Sequence, residues 1–125
     1  MTGNWSHLAA LAEAEVRRTL HKLPARLKRQ AEGLPVTYEP HPNAALLADG
    51  FEPDLLGLFV GASFGESEFG PADVPPQVIL FLENLWDYAE GDDEIYREEV
   101  RITYLHELGH FLGLDEGDLE DRGLD

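Results

Sequence analysis

The chain contains no cysteine, and its only methionine is Met1. Without thiols there are neither disulfides nor thiolate metal sites, so any bound metal must take histidine and carboxylate ligands, a donor set that suits zinc. No apolar run approaches the roughly 20 residues needed to span a bilayer. The opening Met1-Thr2-Gly3-Asn4-Trp5-Ser6-His7 also lacks the basic-then-apolar pattern of a secretory leader. These absences lead us to expect a cytoplasmic protein with no membrane partner. Internal repeats and low-complexity tracts are missing too, which argues against solenoids and disordered arrays.

Positive charge is scarce: nine Lys and Arg stand against 25 Asp and Glu, for a net charge of −16. What there is lies mostly at the front. Arg17, Arg18, Lys22, Arg26, Lys28 and Arg29 oppose only Glu13 and Glu15 in residues 1–31, leaving that segment at +4 and the remainder at −20. An acidic body repels phosphate, and no aromatic interleaving or nucleic-acid motif accompanies the arginines, so no nucleic-acid partner is expected. The basic residues are instead expected on a helix that faces water or lies against the acidic body. With 125 residues the chain is long enough for one modest core, and a single domain over 1–125 is expected.

Leu8, Leu11, Ala12, Val16 and Leu20 recur near helical spacing and predict a helix over residues 5–22, with Ser6 as a plausible N-cap. Pro24 suits the first turn of a second, short helix that Gly33 ends. Val36-Thr37-Tyr38-Glu39 alternates like a strand and is stopped by Pro40 and Pro42, so it should carry few ladder bonds. The segment 41–54 reads as loop, with one possible helical turn at 44–48 and with His41 as a surface residue.

Leu55 to Gly61 predicts a strand in which Gly57 permits a bulge or the close approach of another chain. Ala62 to Pro76, rich in glycine, proline and acids, predicts a long loop and a substrate-facing flap. The run Val78-Ile79-Leu80-Phe81-Leu82 reads as the buried central strand, followed by a short helical turn over 83–89 that carries Trp86. A last helix is expected from Asp93 to Leu112, with acids favourable at its N-terminus and a core face formed by Ile95, Ile102, Leu105, Leu108 and Phe111.

That last helix carries His106-Glu107-Leu108-Gly109-His110. One helical turn separates the two histidines, so both imidazoles can reach one ion, while Glu107 is rotated about 100° away and suits contact with water rather than metal. Five-residue matches of this kind arise by chance, but Gly113 and the acids that follow sharpen the signal. Gly113 permits a turn out of the helix through which Asp115 or Glu116 can return as a third ligand.

In its motif and surrounding elements the sequence resembles the small bacterial zincin-like metallopeptidases, whose motif is HExxHxxGxxD or a close variant. The resemblance runs from about Leu55 to Leu124 and includes Gly57-Leu58-Phe59, Pro76-Gln77-Val78-Ile79-Leu80-Phe81 and His106 through Glu116. It implies an α+β, minimal zincin-like fold, with N-terminal helices and a metal-binding C-terminal helix packed on a small mixed β-sheet. It also implies Zn2+ as cofactor, although the same ligands accept other divalent metals. Counting along the family pattern puts the third ligand at Glu116, with Asp115 as the alternative one place earlier and Asp118 more distant.

The chain departs from the larger metzincins, which place a methionine turn beneath the metal after the third ligand. Beyond Glu116 there is no tyrosine or histidine to stabilise an oxyanion, only Arg122. The expected function is zinc-dependent hydrolysis of a peptide or protein substrate, with Glu107 as general base to a metal-activated water. The alternative is a zinc-containing module that binds a peptide or protein without turnover.

Overall fold

The structure, a computed structural model, describes residues 4–61 and 75–113. In chain order the elements are α1 (Trp5–Lys22), α2 (Ala25–Glu32), β1 (Val36–Glu39), α3 (Ala44–Ala48), β2 (Gly57–Val60), β3 (Gln77–Phe81), α4 (Leu82–Tyr88) and α5 (Asp93–Leu112). The architecture is a small α+β fold, helices against a three-stranded mixed sheet. The long loop expected over 62–76 falls almost wholly outside the described residues.

Each helix boundary has a local cause. Asn4, not Ser6, caps α1, its side chain accepting from the His7 amide at 3.2 Å. Both residue types make good caps, but the helix begins at Trp5, which places Ser6 inside the first turn. Asn43 caps α3 in the same way, and Asp92 caps α5 by accepting from the Ile95 amide at 3.0 Å. Asp93 and Glu94 add negative charge to the first turn of α5, where the helix dipole favours it. Gly113 ends α5 at φ 74°, a left-handed conformation open to glycine at little steric penalty, and its N–H reaches back to the Gly109 and His110 carbonyls.

The strand order is β1-β3-β2, with β1 parallel and β2 antiparallel to β3. The register pairs Val36 with Val78, Tyr38 with Leu80, Gly57 with Leu80 and Phe59 with Val78. Because side chains alternate, these six residues share one face of the sheet, and that face meets the helices. Val78 and Leu80 are wholly buried there, whereas Thr37, Gln77, Ile79, Leu58 and Val60 share the opposite, half-buried face. On that outer face Thr37 Oγ1 donates to Gln77 Oε1 at 2.6 Å.

The core joins Leu8, Ala12 and Val16 of α1, Leu27 and Ala31 of α2, Val78 and Leu80 of β3, Leu82 and Leu85 of α4, and a long stripe on α5. That stripe is Tyr96, Val100, Tyr104, Leu105, Leu108 and Phe111: the last three are buried as expected, while Ile95 and Ile102 give way to Tyr96, Val100 and Tyr104. Ile95 and Ile102 are 45% and 41% exposed. Seven residues separate them, which keeps them on one face, but that face lies about 130° from the one that Tyr96 and Val100 bury. The Tyr96 hydroxyl satisfies itself by donating to the Leu8 carbonyl at 2.8 Å, and its ring meets Trp86 edge-on at 5.6 Å. A phenol with a polar partner is therefore better suited to this helix junction than aliphatic patterning alone suggests.

The basic residues of the first helices face water. Arg17, Arg18, Lys22, Arg26 and Arg29 are exposed, and Arg18 pairs with Glu15 of its own helix at 3.7 Å. Among the described residues an acid of the body meets α1 where His7 pairs with Asp93 at 3.0 Å, an exposed contact that contributes little.

Candidate metal centre

Helix α5 lies along β2 and β3. The contact is closest at Gly57, where an added Cβ would stand 2.5 Å from Thr103 Cγ2 and 3.3 Å from the Ile79 carbonyl oxygen. The neighbour that Gly57 admits is thus this chain's own helix. One residue pair further on, Phe59 meets Phe111 with ring centroids 5.8 Å apart. Gly57 to Phe59 therefore runs in the same direction as Thr103 to Phe111, so the helix and the strand are parallel.

This contact fixes where the motif points. On an ideal helix His110 and His106 sit about 20° and 60° from Thr103, on the side away from the Val100–Tyr104 stripe, while Glu107 sits about 40° toward it. Thr103 faces β2, and β2 is bonded to β3 on one side only among the described residues. The histidines are consequently placed at the open margin of the sheet, with Glu107 between them and the core.

Exposure follows that placement. Glu107 is buried at 8% exposure, His106 is half-buried, and the His110 side chain is 53% exposed. A buried carboxylate needs a polar partner, and Glu107 Oε1 finds His110 Nδ1 at 3.2 Å. The two imidazoles stand with centroids 4.7 Å apart. Ligand-capable atoms of His106, Glu107 and His110 all lie within 4.8 Å of one another, and among the described residues this is the one cluster of three such side chains.

Two borderline imidazole nitrogens, with a carboxylate beside them and no sulfur, match the chemistry of zinc. Tetrahedral zinc with bonds of about 2.1 Å separates its ligand atoms by about 3.4 Å, so the spacing of the His106 and His110 nitrogens, within 4.8 Å, is of the right order and the two imidazoles fit the ion. Gly109, between the histidines, is itself buried. Asp115 and Glu116, the candidate third ligands, lie outside the described residues.

The other histidines are engaged elsewhere. His21 Nδ1 is 3.3 Å from Lys28 Nζ. His41, exposed on its loop, meets Asn84 Oδ1 through Nδ1 at 2.9 Å and Glu83 through Nε2 at 3.8 Å. Asn84 then donates to the Pro53 and Leu55 carbonyls at 2.8 and 2.9 Å, tying α4 to the chain that enters β2. Sequence reasoning missed this clamp. Nothing local marks Asn84, because its partners are 29 to 43 residues away.

Tyrosines surround the back of the motif helix. Burial pushes the Tyr104 phenol up to about 12, with a further rise from Tyr38. Tyr38 is likewise raised to about 12 by burial first and by Glu13 second, with Arg17 opposing. Burial, followed by Tyr38 and Asp93, raises Tyr96 as well. All three stay protonated at neutral pH and keep this side of α5 uncharged.

No curated protein matches the chain in comparison. The sequence profile of a zincin-like metallopeptidase family does match, over residues 31–124, and so takes in β1, the β2–β3 pair and the whole of α5. A match over three quarters of the length, together with two histidines and a glutamate converging on the helix that follows the sheet margin, places the protein: it belongs to the zincin-like metallopeptidase family.

Proposed function

We propose that the protein is a zinc-dependent peptidase in which His106, His110 and a carboxylate from Glu116, or from Asp115 in its stead, hold the metal. When bound, the ion would polarise the scissile carbonyl and acidify a water at its open position. Glu107 is the general base: its carboxylate takes the proton of the attacking water and delivers it to the departing amine nitrogen. Burial on one side and His110 on the other restrict where that carboxylate can move, which favours a fixed path for the proton.

The peptide substrate lies extended beside β2, whose outer edge offers backbone groups for strand addition next to the two imidazoles. The observation that carries the reading is the convergence of His106, Glu107 and His110 at that edge. Its test is a peptide-library digestion with and without chelator, alongside elemental analysis. Chelator-sensitive cleavage that disappears in Glu107→Gln, with the metal still bound, is the expected result. Bound zinc without any cleavage would instead make the protein a metal-containing peptide binder.

A further inference from the structure

Helix α2 carries two guanidinium groups, Arg26 and Arg29, three residues apart and therefore neighbours on one helix face. Both are exposed, and neither makes an ion pair or hydrogen bond among the described residues, although the chain holds 25 acids. With Gln30, Gly33 and Phe111 they line a pocket of about 440 Å³. That volume lies within the range of small-ligand sites, and Phe111 supplies an apolar wall.

The pocket lies at the end of the sheet that the last turn of α5 reaches, around the helix from the proposed metal centre. Val60 pairs with Gln77 and Val36 with Val78, so the end of β2 and the starts of β1 and β3 share one end of the sheet. Since α5 runs with β2, its last turn reaches that end, where Gly33 leads from α2 into β1, across β3 from the strand beside which substrate is proposed to lie. Phe111, turned about 100° from His110 on the same turn of α5, is thus both a partner of Phe59 on the strand beside which substrate is proposed to lie and a wall of the arginine pocket.

We propose that this pocket is a carboxylate-binding subsite, so that the enzyme selects peptides bearing an acidic group a few residues from the cleaved bond. The proposal rests on the peptidase reading above. Two planar forks with unused donors suit a carboxylate, which accepts paired N–H bonds, and the small exposed part of the otherwise buried Phe111 borders the aliphatic stem that carries it. A polyanion is disfavoured, because residues beyond 31 carry a formal −20 that would repel it, whereas one carboxylate on an otherwise neutral peptide meets mainly the two arginines. An Asp or Glu side chain and a free C-terminus present the same group.

The test is calorimetric titration of zinc-loaded Glu107→Gln protein, which reads binding without turnover. Four peptides of one sequence are used: internal Glu or Gln, each with a free or amidated C-terminus. A preference of about tenfold for the peptide with the recognised carboxylate is expected, as one charge-assisted pair supplies. Which of the two substitutions abolishes it names the source. Arg26→Gln/Arg29→Gln should erase the preference, and Lys22→Gln, an exposed cation on α1, should preserve it. Equal binding of all four peptides, or a preference that survives the double arginine variant, overturns the subsite. The outcomes separate from those of the peptidase reading: cleavage without acidic preference removes the subsite alone, and acidic preference without cleavage leaves the subsite on a peptide binder.

Discussion

The two sides of α5 have opposite characters. On one, Tyr96, Val100 and Tyr104 are shielded from water and the Tyr96 hydroxyl is tied to the α1 backbone. On the other, His106 and His110 stand at the margin of the sheet with the His110 ring more than half exposed. A histidine needed only for packing would gain from burial, whereas a metal ligand must remain reachable by ion and substrate. The same helix therefore separates the groups that hold the fold from those that do chemistry, with Glu107 at the seam.

Removing a metal ligand tests that separation most severely. His106→Ala should weaken zinc binding by more than the roughly 10- to 100-fold lost when only a group that supports a ligand is removed. In excess chelator its denaturant midpoint should match that of the parent, because a half-buried imidazole at the sheet margin contributes little packing. A large loss of apo stability would show that the margin also holds the fold. Leu8→Ala is the mirror image. It empties a fully buried site between α1 and α5 and should cost about 2–5 kcal/mol in denaturant unfolding, with zinc stoichiometry unchanged.

Gly57→Ala should break the separation. The new Cβ would press on Thr103 from one side and face the Ile79 carbonyl on the other, and the backbone oxygen cannot swing away. Forcing α5 off β2 should cost about 1–3 kcal/mol and also weaken zinc binding, because Thr103 lies one turn before the histidines. A companion Thr103→Ser, which removes the Cγ2 in question, should restore part of both losses. Stability lost with zinc affinity intact would mean that the two sides of the helix are decoupled even at their closest support.

The contrast also explains what could be read from the sequence. Elements were legible where patterning and punctuation agree: Asp92 and Gly113 bracket α5, and Pro24 and Gly33 bracket α2. His106, Glu107 and His110 were legible as a group because helical spacing alone sets their proximity. The buried stripe on α5 was legible in its second half, where Leu105, Leu108 and Phe111 keep the expected spacing, but not in its first. Aliphatic side chains drew attention to Ile95 and Ile102, while the deciding contacts, Tyr96 to the Leu8 carbonyl and to Trp86, come from elements distant in sequence. The parallel pairing of β1 with β3 and the Asn84 clamp escaped for the same reason, since no turn rule links residues 29 or more positions apart.

The smallest effect concerns the Tyr96 hydroxyl and is the most discriminating in sign. At neutral pH, Tyr96→Phe removes the bond to the Leu8 carbonyl and should cost about 1 kcal/mol, with zinc binding unaltered. The phenol is raised above its ordinary value of 10.0, chiefly by burial, so below pH 10 neither folded nor unfolded chain is ionised there and the deficit holds constant. Above that value the unfolded chain loses this proton while the folded chain retains it. Wild type is then destabilised by about 1.4 kcal/mol per pH unit, and phenylalanine, with no proton to lose, escapes this. Tyr38 and Tyr104 act alike in both proteins and largely cancel in the difference. Denaturant unfolding of the two apo proteins should thus show the deficit vanishing near pH 11. A deficit unchanged at that pH would mean that Tyr96 ionises freely in the folded chain, and the distinction between the dry and the open side of α5 would fail at its most buried phenol.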